Sequence, residues 1–173
     1  HHVNYLDQAK DESRWKTLDG RAMGWLEYSV SVTATAYPRI WAKAKQAHPT
    51  KRQQFVLWAI ISLLVVAAFA VWNPLNALIL FVMPMVVGLF ITAWHTYYHH
   101  AHLDTDNEYA ASWNIIHTGY NVLTLNLGYH TAHHVRCTVH WSELPAFHAR
   151  IADRIPPHLY RRPCFPFVLL GRA

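Results

Sequence analysis

Three histidines fall within five residues at His130-Thr-Ala-His133-His134, an HxxHH box. If this segment is helical, positions i, i+3 and i+4 share one face and the three imidazoles converge. A second cluster, His95-Thr-Tyr-Tyr-His99-His100, lies upstream, with His102 just beyond it, and the chain opens on His1-His2. Imidazole is borderline in softness and suits zinc, iron, copper and nickel. The expected chemistry is therefore that of a histidine-bound metal centre. His130, His133 and His134 are its first candidates. In the upstream cluster His95 and His99 can share a helix face. His100 is offset by about 100°, so not all three are expected to bind metal. His1 and His2 read either as the stub of an expression tag or as part of a motif, although a tag leaves a longer run.

His117, His140, His148 and His158 are isolated, and each reads as a hydrogen-bonding histidine. A metal-bound imidazole needs an acceptor for its other ring N–H. Asp104, Asp106, Asn121, Asn126 and Glu143 are available for that role. No Ser-His-Asp order, P-loop or glycine-rich dinucleotide fingerprint is present.

The elements that must position these groups are apolar. Of 173 residues, 53% are hydrophobic and only 14% charged, against about a quarter charged in soluble domains. The deficit is concentrated in two uncharged runs, 55–72 and 75–94, separated by Asn73-Pro74. Eighteen helical residues rise about 27 Å, close to a hydrocarbon core of roughly 30 Å. The two runs read as transmembrane helices forming a hairpin. Pro84 and Gly88 inside the second are tolerated there. Arg39, Lys43, Lys45, Lys51 and Arg52 flank the hairpin entry, and histidines follow its exit. Both ends, and the histidine clusters, are thus expected on the cytoplasmic side. Residues 22–47 fit either a helical stripe or a strand alternation. The aromatic residues Trp25, Tyr28, Tyr37 and Trp41 favour an amphipathic interfacial helix.

Beyond the hairpin, two or three helices are expected over 95–148, one of them over 108–129 and leading into the HxxHH box. Prolines break up the tail after Ile155. The fold class that follows is all-α, a membrane helical hairpin with a cytoplasmic helical cap carrying the histidine boxes. The net charge of +5 lies beside the apolar stretch rather than on a face interleaved with stacking aromatics, so no nucleic acid is expected. Cys137 and Cys164 form no CxxC pair and read as reduced thiols.

Asn126-Leu-Gly-Tyr-His-Thr-Ala-His-His134 resembles the last histidine box of the integral-membrane fatty acid desaturases, and Asn121-Val-Leu-Thr-Leu before it is similar as well. Thr96-Tyr-Tyr-His-His-Ala101 resembles the short motif that precedes that box in desaturases and alkane monooxygenases. The family usually has Glu-His or Gln-His there, its second member an iron ligand. The match places the ligand at His100 and puts His99 in the Glu or Gln position. His1-His2, followed by Asn4, Asp7 and Glu12, looks like the end of the middle HxxHH box with its acidic follow-on. The first box, the first histidine of the middle box and two N-terminal membrane helices have no counterpart. The chain, which lacks an initiator methionine, is expected to be the C-terminal part of such a domain over residues 1–173, inactive by itself.

The resemblance implies two iron ions held by histidines, with His1, His2, His100, His130, His133 and His134 as ligands and His99 and His95 as second choices. It implies O2 as co-substrate, a fatty acyl lipid as substrate, and an electron-transfer protein such as ferredoxin or cytochrome b5 as external donor. Desaturation of fatty acyl chains is the expected activity. Hydroxylation of a fatty acid or alkane at the same kind of centre is the alternative. A non-enzymatic metal-binding or transport protein is less favoured, because neither apolar run holds a charge or a histidine that would mark an ion path.

Overall fold

The computed structural model describes residues 1–7, 9–11, 13–163 and 169. Glu12 of the acidic follow-on, Cys164 and Pro166 lie outside the described residues. The described residues are helical with irregular connections. Only two isolated bridges, Lys16–Ala22 and Asn114–Tyr160, interrupt that pattern, and no strand forms among them. The chain divides into two compact units, one of residues 24–95 and one of residues 1–23 with 96–173.

The first unit carries the hairpin. Two helices, α1 (Trp25–Ala34) and α2 (Ala36–Gln46), occupy the segment for which helix and strand patterns competed. They meet at Thr35, whose hydroxyl bonds back to the Ser31 carbonyl at 2.6 Å, a local bond that bends helices. The long helix α3 (Pro49–Trp72) begins with proline at its first position, where the missing N–H is no loss. It stops at Asn73, whose side chain accepts from the Asn76 amide at 3.0 Å and so caps the short helix α4 (Pro74–Ala77). A π-helical turn, Leu78–Val82, leads into α5 (Met83–His100). Pro84 explains the turn. Its ring cannot donate to, and would collide with, the carbonyl four residues earlier, so the ladder widens just before it.

Pro49–Trp72 and Pro74–His100 are long and apolar enough to cross a membrane. Leu57, Trp58, Leu63 and Leu64 on α3 and Leu80 before α5 are more than half exposed, an apolar surface that water penalises and lipid does not. The helical ends run past the uncharged stretches 55–72 and 75–94, because polar residues at either end continue the same backbone ladder.

The second unit includes the last turn of α5, then α6 (Thr118–Leu123), α7 (His130–Val135) and α8 (Leu144–Ile151), with 3-10 turns after them. Its core gathers Tyr109, Ala132, Leu144, Ile151, Ile155 and Leu159. A single helix over 108–129 does not form. The backbone of 113–115 is bonded elsewhere: the Trp113 amide to the His99 carbonyl, Asn114 to Leu159 and Ile115 to Gly128, each at 2.8 Å. Left-handed backbone at Leu125 (φ 53) and Asn126 (φ 62) then ends the α6 segment before the box.

Candidate metal centre

The HxxHH residues sit on one short helix, α7, held in place by buried polar contacts. Asn114 accepts from the Thr131 amide at 3.1 Å and donates to the Thr131 hydroxyl at 2.8 Å. Asn121 donates to the carbonyls of Ile115 and His117 and accepts from the Gly128 amide at 3.0 Å. A Cβ on Gly128 would lie 2.1 Å from the Ile115 carbonyl oxygen, so only glycine fits where the chain turns into the box.

Four imidazoles from three separate segments converge. His100 Nε2 lies 3.1 Å from His1 Nε2, 2.9 Å from His130 Nε2 and 3.0 Å from His134 Nε2. His134 and His130 Nε2 are 3.2 Å apart. The opposite nitrogens of three of these rings face groups that only accept. His1 Nδ1 donates to both oxygens of Asp11 at 3.0 Å, His100 Nδ1 to the Ala111 carbonyl at 3.1 Å and His130 Nδ1 to the Leu127 carbonyl at 3.3 Å. Their protons are therefore on Nδ1, and bare Nε2 lone pairs point at one another. Such a set is repulsive without a cation among it. Ligands at right angles around a metal at about 2.1 Å stand about 3.0 Å apart, so the spacing fits a first-row transition ion. His1, His100 and His134 also group as a metal-competent set.

Electrostatics agree with that fit. Burial, followed by the charges of neighbouring rings, holds His130 and His134 well below the usual histidine pKa, so both are neutral and available as ligands. Burial lowers His133 and His2 as well. Burial also pushes the Asp11 carboxyl up, opposed by the Ser13 amide that bonds it at 2.8 Å. Tyr5 lies against His134 with ring centres 4.3 Å apart, and burial moves its phenol up to about 12.

His2 and His133 stand edge to face with centres 4.6 Å apart, and His2 stacks on His134 at 4.8 Å. They sit beside the four converging rings. His99 is different, because both of its ring nitrogens have partners, the Trp113 carbonyl and the Tyr120 hydroxyl, each at 2.8 Å. His102, with φ 65, packs on Trp15, while His95 belongs to the hairpin unit. His117 and His140 cap helix starts, His148 meets the Tyr160 hydroxyl, and Cys137 is an exposed free thiol.

The acceptors that orient the rings are not those expected. Asp104 pairs with Lys16, Asn126 donates to the Trp141 carbonyl, and Asn121 shapes the turn at Gly128. Asp11 and two backbone carbonyls take the role instead. Asp11 follows His1 by ten residues, too far for any helical or strand period to flag, and carbonyls have no sequence signature.

A family model described as "Fatty acid desaturase" matches residues 1–166. Neither a curated protein nor a solved structure gives a significant match to the chain. The family match spans both units and every histidine discussed above, and on that extent the chain belongs to the fatty acid desaturase family.

Proposed function

We propose that this chain carries the later histidine boxes of an oxygen-dependent fatty acyl desaturase that uses a non-haem di-iron centre. The observation that carries this reading is the convergence of four Nε2 atoms from His1, His100, His130 and His134 at spacings of 2.9–3.2 Å. These four would hold one iron, and His2 and His133 are assigned to the second. When bound, the iron pair supplies the oxidising power, from O2 and an external electron donor, that removal of hydrogen from an unactivated methylene requires.

The residues of this chain do the rest. Asp11 and the Ala111 and Leu127 carbonyls keep the Nδ1 protons in place and so keep Nε2 open to metal. The buried rings stay neutral, which favours cation binding over protonation. In the hairpin unit, an apolar groove of about 550 Å³ is lined by Val30, Tyr37, Met85, Leu89 and Phe90, a surface suited to a lipid tail. The proposed location is an integral membrane one, with the histidines at the cytoplasmic face and a ferredoxin-like or cytochrome b5-like donor as partner. The basic flank of α3 supports that orientation.

The test is expression of the full-length gene product, recovered from the surrounding DNA, in a host without such activity, followed by lipid profiling by gas chromatography–mass spectrometry. A new double bond that disappears with His134→Ala is the expected result. A hydroxylated product would move the assignment to a hydroxylase. Product formation that survives His134→Ala would overturn the histidine-bound centre.

A further inference from the structure

His99 stacks on His130 of the metal centre proposed above, and its role rests on that centre. Its side chain is fully buried. The Trp113 amide donates to the His99 carbonyl at 2.8 Å, and His99 Nδ1 lies 2.8 Å from the Trp113 carbonyl in return. A carbonyl only accepts, so Nδ1 carries the ring proton and Nε2 carries the lone pair. The Tyr120 hydroxyl, also fully buried, sits 2.8 Å from that Nε2 and donates to it. The lone pair a metal would need is thus occupied by a phenol proton.

The ring held in this way lies nearly parallel to His130, with centres 4.0 Å apart and planes 17° from parallel. His130 needs such a backing. Its own anchor, Nδ1 to the Leu127 carbonyl, spans 3.3 Å, longer than the 3.0 Å of His1 to Asp11 or the 3.1 Å of His100 to Ala111. Adjacent residues on α5 diverge by about 100°. That divergence lets His100 aim Nε2 into the cluster while His99 faces Trp113 and Tyr120.

We propose that His99 is a positioning residue and not a ligand: clasped by the Trp113 carbonyl and the Tyr120 hydroxyl, its ring is the wall that sets the tilt of His130.

The whole chain, purified in detergent and loaded with cobalt(II), provides the test, because cobalt absorption bands report ligand number and geometry. His99→Phe keeps a ring against His130 and is expected to retain the wild-type cobalt content, with affinity reduced less than about tenfold. His99→Ala removes the wall and should weaken binding roughly 10–100-fold, the range for residues that orient a ligand. Tyr120→Phe should keep the content and shift the bands, and it serves if the His99 variants fail to fold. His130→Ala should lose content outright. A His99→Phe chain that loses as much cobalt as His130→Ala would make His99 a ligand and overturn the proposal.

Should the wild-type chain take up no cobalt, the proposed centre fails, and 15N NMR of the histidine-labelled metal-free chain decides the clasp. The expected His99 signal is Nδ1-protonated, with an Nε2 resonance that moves in Tyr120→Phe. An Nε2-protonated ring would overturn it.

Discussion

Both carboxylate oxygens of Asp11 lie 3.0 Å from Nδ1 of His1, and Asp11 is only 2% exposed. A buried carboxylate facing one imidazole nitrogen fixes the ring and turns its other nitrogen toward the cluster. Asp11→Ala frees that ring and should weaken metal binding roughly 10–100-fold. Asp11→Asn, which keeps one acceptor oxygen, should lose less. Competition with a chromophoric chelator measures both, and an Asp11→Ala chain of wild-type affinity would remove Asp11 from the site.

Gly128→Ala tests how the last box is seated. The added methyl would stand 2.1 Å from the Ile115 carbonyl oxygen and 2.5 Å from the Asn121 side-chain oxygen. Neither can retreat freely, since the Ile115 amide bonds the Gly128 carbonyl and Asn121 spans the turn. We expect a loss of about 1–3 kcal/mol, the range for overpacked cores, with a fall in metal content. Thermal melts paired with elemental analysis read the two effects together.

Metal should stabilise the fold that it joins. At 100 times its dissociation constant, a ligand specific to the native state contributes about 2.7 kcal/mol. Added iron(II) under anaerobic conditions is expected to raise the melting midpoint, and a chelator to reverse the rise. His100 is the common neighbour of His1, His130 and His134, so His100→Ala should abolish the gain. An equal gain in that variant would mean the ion binds elsewhere.

His148 supplies a pH dependence separate from the cluster. It is buried on α8, with Nε2 3.1 Å from the Tyr160 hydroxyl and Nδ1 without a partner among the described residues. Burial lowers its pKa below 6.5. The unfolded chain takes up a proton near pH 6.5 while the folded one resists, so stability is fully present above that pH and falls as the pH drops below it. His148→Leu should shrink the loss between pH 7 and pH 5 in metal-free melts. An unchanged slope would show that His148 titrates alike in the folded and unfolded chains and carries none of the dependence.

Local spacing carried much of this protein. The i, i+3, i+4 interval of His130, His133 and His134 is a property of one helical turn, and α7 supplies that turn. The uncharged stretches and the Asn73-Pro74 break are equally local, because proline and the asparagine cap act on their own backbone. The ambiguous segment 22–47 needed more, since its residues satisfy two periods at once. The structure makes it two helices divided at Thr35.

What sequence alone determined was therefore the kind of chemistry and the helices that carry it: clustered imidazoles at helical spacing beside two membrane-length apolar runs. Which imidazole faces which was decided only in three dimensions. His99 and His100 are neighbours of one residue type, yet one meets Tyr120 and the other meets His1, His130 and His134. The helix expected over 108–129 gave way for the same reason. Its amides found partners at His99, Gly128 and Leu159, residues that only the folded chain brings within 3 Å. Periodicity reports which residues share a face. Hydrogen bonds between segments far apart in the chain decide where that face points.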